Sequence, residues 1–294
     1  MHASSMSSSL SRFKQLNLTQ QNKGEGVFIP YILLGWPSHD EALALVDLYV
    51  EAGADALELG LAFSEPIADG PVLQAAITEV LNSSYTLEQA FKLMATIRER
   101  YPELPLSLMS YYNPIQNMGE AQFIARLKAA GVDALLVVDL PPQMAAQTVY
   151  PHCQEAGIDL VFIVSPLTTP ERLKTLTRLG SGYLYVVSRL GITGTESRYD
   201  TGIATLIQTL QAAQHEAGKS SEDALPLYVG FGISAPENAH MMLTAGAQGV
   251  ITASKIFQII QMHRAAGTCY AADVRRFVEA MCHACHQNKH GDTV

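Results

Sequence analysis

Basic residues are scarce in this chain: 19 Lys and Arg stand against 28 Asp and Glu, a formal net charge of −9. Such a surface has no surplus cation to neutralise a phosphate backbone, which argues against nucleic acid as a partner. An anionic small molecule is still allowed, because main-chain amides and one Arg can hold a phosphate on an acidic protein. Cysteine is sparse too. Cys153, Cys269, Cys282 and Cys285 are the only four in 294 residues, too few for a disulfide scaffold, and they fit a reducing cytoplasm. No run approaches about 18 uncharged apolar residues, so no membrane-spanning helix is expected. Met1–Leu10 is Ser-rich and lacks a basic flank leading into an apolar stretch; it reads as a disordered start, not an export signal.

What the chain does have is a rhythm. Short apolar runs bounded by Gly, Pro or polar residues read as buried parallel strands: Val27–Leu34, Ala56–Gly60, Leu104–Met109, Ala134–Val138, Leu160–Val164, Tyr183–Val187, Leu225–Gly230 and Gly249–Thr252. Amphipathic stretches lie between them, among them Asp40–Ala52, Leu87–Arg100, Ala121–Ala130, Pro170–Leu179 and Pro236–Ala245. One phrase recurs where helix gives way to strand: Ala52-Gly53-Ala54-Asp55, Ala130-Gly131-Val132-Asp133, Ala156-Gly157-Ile158-Asp159 and Ala245-Gly246-Ala247-Gln248. A Gly there closes the helix in the left-handed conformation. The repetition predicts one supersecondary unit used many times, and eight strands with intervening helices predict a closed α/β barrel, a (β/α)8 TIM barrel with extra helices, as one domain over 1–294. The polar segment Glu216–Ala224 reads as a solvent loop, Lys255–His290 as helix in two or more pieces, and 283–294 as a frayed tail.

In a barrel of this kind the reacting groups sit at the C-terminal ends of the strands. Glu58 interrupts an apolar strand, where a carboxylate is costly unless it faces a pocket or finds a partner. Asp69, in the following loop Phe63–Pro71, brings a second acid to the same mouth; alone, an Asp before Gly-Pro would be an ordinary turn residue. Together they suit a general acid and base with separated pKa values. The loops Ser188–Gly194, Gly230–Pro236 and Thr252–Ser254 supply glycines, hydroxyls, a cation and helix N-termini, a convergence that predicts a phosphate site.

Three lookalikes fail. Gly230-x-Gly232-x-x-Ala235 mimics a dinucleotide fingerprint, but no acid occurs between Ala239 and Ala272 to hold a ribose. Gly218-Lys219-Ser220 ends like a P-loop, yet Ala213 stands at the first Gly and a helix precedes it. Cys282-His283-Ala284-Cys285-His286 spells a haem-attachment string with no export signal, and a zinc site there would need further ligands. His39, His152, His215, His240 and His263 fall away from strand ends, and Lys255 lies past Ser254 within a helix. These positions favour metal-free acid–base chemistry.

From about Phe13 to about Met281 the chain resembles the tryptophan synthase alpha family. The most specific stretches are Ala54–Gly60 with Phe63–Pro71, joined by Phe28–Tyr31, Ser110–Ile115, Val187–Gly194 and Gly230–Ser234. The resemblance implies retro-aldol cleavage of indole-3-glycerol phosphate to indole and glyceraldehyde 3-phosphate in tryptophan biosynthesis. It implies Glu58 as general acid/base and Asp69 as the carboxylate holding the indole N–H. Tyr111, Asp139, Tyr185 and Thr193 would line the substrate, Thr193 from a closing loop that orients Asp69. Gly194, Gly232, Ser234, Ala253 and Ser254 would hold the phosphate. It further implies no cofactor in this chain, and a pyridoxal-phosphate beta subunit as partner in an alpha2beta2 complex.

Four positions depart from the family pattern: Trp36 for a common Asp, Ala62 for Pro, Glu65 for Asp, and Ala253 for Gly at the phosphate. Ala253 keeps its N–H, so phosphate binding should survive; the other three are expected around the partner-facing surface. Two rival readings remain. One is another barrel enzyme acting on a phosphorylated sugar or indole compound, which would show Lys or Cys at strand ends. The other is a catalytically weak phosphate-binding barrel serving mainly as allosteric partner of the beta subunit, whose mark would be loss of Glu58 or Asp69.

Overall fold

The four recurring glycines do close their helices with positive φ: +98° at Gly53, +78° at Gly131, +65° at Gly157 and +105° at Gly246. The residue two places on often does a second job, reaching back to the strand beside it. Asp55 Oδ2 accepts the Phe28 N–H at 2.8 Å, Asp133 Oδ2 the Leu106 N–H at 2.9 Å, and Gln248 Oε1 the Leu227 N–H at 2.8 Å. Three strand starts, those that follow Asp55, Asp133 and Gln248, are thereby stitched to the strand before them.

A computed structural model describes residues 10–187, 199–216, 223–230 and 232–287. Eight parallel strands close in sequence order: β1 (Val27–Leu33), β2 (Leu57–Gly60), β3 (Leu106–Ser110), β4 (Ala134–Val137), β5 (Asp159–Val164), β6 (Leu184–Val187), β7 (Leu227–Gly230) and β8 (Gly249–Thr252). The ring shuts where Val27 of β1 pairs with Gly249 of β8. The helices before and between the first four strands are α1 (Arg12–Lys23), α2 (His39–Glu51), α3 (Pro71–Asn82), α4 (Leu87–Arg100), α5 (Tyr112–Met118) and α6 (Glu120–Ala129). The rest are α7 (Pro142–Ala145), α8 (Val149–Ala156), α9 (Pro170–Leu179), α10 (Tyr199–Glu216), α11 (Pro236–Thr244), α12 (Ser254–Ala266) and α13 (Ala271–His286). All eight anticipated strands are present, with bounds moved by no more than a few residues. The TIM barrel is the observed architecture. No described helix is long and apolar enough to cross a membrane.

Local chemistry explains the helix starts. Ser38 and Thr169 cap α2 and α9, and Thr86 with Gln89 forms a reciprocal capping box at α4. Two apolar layers follow from strand alternation: one between strands and helices, the other inside the barrel, where Val27, Ile29, Tyr183, Tyr228 and Ile251 pack together. Helix α1 plugs the N-terminal end of that interior. Its Phe13 ring lies 5.2 Å from Tyr183, and Asn17 Oδ1 accepts the Tyr228 hydroxyl at 2.6 Å. Arg12 and Arg98 both clamp Asp133, at 2.8 and 2.7 Å.

Two expectations change. The C-terminal end is not frayed from residue 283: α13 continues to His286, with Cys282 and Cys285 buried and His286 Nε2 2.9 Å from Asp55 Oδ2. The cysteines of the haem-like string are therefore helix-packing residues. Trp36 is not on the surface either. It is 1% exposed, stacked on Phe257 at 4.5 Å, and donates from Nε1 to Glu79 Oε2 at 3.2 Å. An indole can be buried there because both its flat face and its single N–H are matched. Residues 1–9, 217–222 and 288–294 lie outside the described residues, and so does most of the predicted solvent loop.

Candidate active site

Glu58 sits in the middle of β2, opposite Tyr31 of β1 and Ser107 of β3. It is 1% exposed, and its Oε1 has no hydrogen-bond partner among the described residues. Ionising a carboxyl in such surroundings is costly, so burial pushes Glu58 up to about 8, with the nearby charge of Asp69 adding to the rise. At neutral pH this group holds a proton that it can donate.

Asp69 arrives from the loop after β2 and is held from the next strand. Tyr111, at the C-terminal end of β3, donates its hydroxyl to Asp69 Oδ2 at 2.7 Å and accepts the Ala68 N–H at 3.0 Å. The Phe63 ring stacks on Tyr111 with centroids 5.0 Å apart. Burial raises the Asp69 carboxyl above its ordinary range, while the Tyr111 bond pulls it down by favouring the anion. The two acids thus differ in support: Asp69 has a donor, and the Oε1 of Glu58 has none.

Two tyrosines complete the wall, and glycines make room for them. A Cβ at Gly60 would lie 1.7 Å from the Tyr31 hydroxyl, and one at Gly230 would lie 2.0 Å from the Tyr185 hydroxyl. Each phenol therefore lies across the end of the neighbouring strand, where any side chain would displace it. Both are buried and feel the charges of Glu58 and Asp69, which, after burial itself, raise their phenol pKa values. Tyr185 was expected from the sequence; Tyr31 was not. Its signal was the alternation Val27, Ile29, Tyr31, which turns it to the same side as the interior residues. Beneath them Tyr183 donates to Ser107 Oγ at 2.8 Å, a second polar pair missed in the sequence because its members are 76 positions apart.

Beyond β1 on the same rim, Ala253 and Ser254 follow β8, and Gly232 and Ser234 follow β7. Thr252 Oγ1 ties the two loops by donating to the Ile233 carbonyl at 2.9 Å. Ala253 is the N-cap of α12 with φ −124°, a value alanine adopts without strain, and no side chain caps the helix. Its first amides are free of a side-chain acceptor, as an anion site requires. Ser234 is engaged locally, with both its N–H and its hydroxyl 3.3 Å from Asn238 Oδ1. Asp139 is exposed at the rim after β4 and accepts the Tyr112 N–H at 2.8 Å, bracing the start of α5. Thr193 and Gly194 lie outside the described residues.

Comparison with known proteins meets this geometry. A family model described as tryptophan synthase alpha chain matches residues 17–286. The tryptophan synthase alpha chain of Aeromonas hydrophila is 38% identical over 275 residues, covering 92% of this chain and 98% of that one. Among solved structures, tryptophan synthase subunit alpha from Legionella pneumophila superposes with a TM-score of 0.79 at 29% identity, over 94% of this chain and 98% of that one. A chain of the tryptophan synthase complex from Pyrococcus furiosus gives 0.73 at 31% identity, over 87% and 98%. This barrel belongs to the tryptophan synthase alpha chain family, and it is a carbon–carbon lyase of tryptophan biosynthesis that carries out the alpha reaction.

Proposed function

We propose that Glu58 and Asp69 divide the cleavage of indole-3-glycerol phosphate between them. Glu58, protonated at neutral pH, gives its proton to indole C3, and the ring nitrogen takes up the positive charge. Asp69, kept toward its anionic form by Tyr111, accepts the indole N–H and stabilises that charge. Glu58, now a carboxylate, removes the proton of the side-chain hydroxyl next to the ring. The bond from C3 to the glycerol chain breaks, the hydroxyl carbon becomes the aldehyde of glyceraldehyde 3-phosphate, and the electron pair restores neutral indole. One proton leaves Glu58 and one returns, so the site is regenerated.

The phosphate tail, in this reading, rests on the amides of Gly232, Ser234, Ala253 and Ser254, with Gly194 and Thr193 contributing from the loop after β6. Tyr185 and Tyr31 enclose the indole, and Tyr111 acts as a positioning residue for Asp69. The observation that carries the assignment is the buried Glu58, with an unpartnered Oε1 and a pKa of about 8, beside a hydrogen-bonded Asp69. Every step falls to side chains of this chain, and no cofactor is assigned to it.

A tryptophan synthase beta subunit carrying pyridoxal phosphate is the partner we infer, in an alpha2beta2 assembly. The Pyrococcus furiosus relative comes from a tryptophan synthase complex, which supports this. Apolar side chains stand out on segments following three different strands: Ile67 is 79% exposed after β2, Met144 45% after β4 and Leu167 71% after β5. All follow the C-terminal ends of strands in a parallel barrel, and exposed apolar residues on one end suit a docking face. The test is release of indole from indole-3-glycerol phosphate, followed with and without a beta subunit. Slow turnover alone and marked acceleration by the partner are expected. Full turnover by Glu58→Gln would refute the division of roles.

A further inference from the structure

The wall of the barrel interior at Glu58 holds a donor and an acceptor that complement each other. Leu57 and Leu59 pack in the layer between strands and helices, so alternation turns Glu58 inward; Leu106 and Leu108 do the same for Ser107. The two residues are register partners on β2 and β3. Adjacent strands run about 4.8 Å apart, so the two side chains start from neighbouring points on one wall. Both are fully enclosed, Ser107 at 0% exposure and Glu58 at 1%.

Ser107 Oγ accepts the Tyr183 hydroxyl at 2.8 Å, yet its own proton meets no acceptor among the described residues. Glu58 Oε1 is the converse, a buried acceptor with no donor among them. Each orphaned group is costly alone, and each is what the other needs. The remaining groups that face Glu58 are Tyr31 on β1, Tyr183 and Tyr185 at β6, and Asp69 from the loop after β2. The Tyr183 proton is committed to Ser107, and the hydroxyls of Tyr31 and Tyr185 lie over Gly60 and Gly230, at strand ends. Ser107 is the donor placed level with Glu58.

We propose that Ser107 is a positioning residue that catches Glu58 in its carboxylate form: a turn of the Glu58 side chain brings Oε1 onto the Ser107 hydroxyl, with Tyr183 donating to Ser107 from behind. The protonated acid keeps Oε1 unengaged. The anion left after proton transfer gains a charge-assisted bond, and the bond behind it polarises the serine further. A dry site can then carry the charge for the part of the cycle in which Glu58 acts as base. The inference rests on the acid/base role given to Glu58 and adds how its charged form is accommodated.

The test is the ionisation of Glu58 itself, followed in the full chain by the carboxyl carbon resonance of labelled glutamate and assigned with Glu58→Gln. Ser107→Ala should move the Glu58 midpoint up by about one pH unit or more, the size of one lost hydrogen bond to an anion. Ser107→Thr, which keeps the hydroxyl, should hold the midpoint near the parent value. The basic limb of kcat/KM for indole release should move with the midpoint, because the acid must start protonated. Ser107→Ala also strands the Tyr183 hydroxyl. The double variant Ser107→Ala/Tyr183→Phe removes both polar groups and should show the same upward movement, so it decides the matter if the single variant does not fold. A midpoint unmoved by removal of the serine hydroxyl, or Ser107→Thr behaving like Ser107→Ala, would overturn the proposal. A moved midpoint together with full turnover by Glu58→Gln would uphold the hydrogen bond and overturn the division of roles instead.

Discussion

Tyr111 holds Asp69 by a 2.7 Å hydrogen bond that crosses from the end of β3 to the loop after β2. The bond favours the ionised form of Asp69, so removing it should raise the pKa of that group. Tyr111→Phe keeps the ring that stacks on Phe63 and removes only the donor. The expected result is a loss of about tenfold in kcat/KM, with the acidic limb of the pH profile displaced to higher pH. A profile unchanged in position would show that Asp69 is held by something else.

Glu58 should make the protein less stable as pH rises. Its folded pKa of about 8 lies above the ordinary carboxyl value of 4.5, so the unfolded chain releases this proton first. The sign follows directly: below the unfolded pKa there is no cost, and between the two values folding loses up to about 1.4 kcal/mol per pH unit. Glu58→Gln removes the effect. Thermal unfolding from pH 5 to 8 should show the variant gaining on the parent steadily, while its kcat is lower by about a hundredfold or more. Parallel pH curves would argue against a buried neutral acid.

The His286–Asp55 pair has the same sign of dependence, over a higher pH range. Its hydrogen bond to Asp55, the largest influence, raises the His286 pKa above 6.5. The stabilisation is therefore complete below the unfolded His value and fades as pH climbs through the raised folded value. The pair contributes on the order of 1 kcal/mol, since His286 is partly exposed. Amide protection factors at the end of α13, which remove the intrinsic pH dependence of exchange, should fall in the parent chain as pH climbs above 6.5 and be low throughout in His286→Gln.

Gly60 is a spatial requirement rather than a turn device. Gly60→Ala would press a methyl group onto the Tyr31 hydroxyl, displacing the phenol from the wall of the site. A stability loss of about 1–3 kcal/mol and a raised KM are expected. Combining it with Tyr31→Ala should cost less than the sum of the two single changes, measurable as a coupling in a double-mutant cycle.

Trp36 offers a check on the partner face. Because its ring is enclosed by Phe257, Trp36→Phe should lower stability by roughly 1 kcal/mol or more through lost packing and the lost bond to Glu79. Affinity for a beta subunit, measured by titration, should stay within about twofold. A large change would return this residue to the interface.

Much of this was legible in advance. The repeat, the eight strands and the suspicion attached to Glu58 all came from local pattern: alternation, a Gly after each helix, and one acid in an apolar run. The loops after β7 and β8 were readable for the same reason, since helix starts and small residues announce exposed amides. The exposed position expected for Trp36 failed because its partners Phe257 and Glu79 come from distant segments, and no local rule distinguishes a stacked indole from a surface one.

The sequence alone therefore determined the fold and the inventory of reactive groups, because strand and helix periodicity and turn residues act over a few positions. Tertiary structure alone decided how those groups behave. The Tyr111 bond to Asp69, the fit of Tyr31 over Gly60, and the unpartnered Oε1 of Glu58 arise only once the strands are in register around a closed ring. Closure sets which distant side chains share a dry space, and that sharing sets their charge.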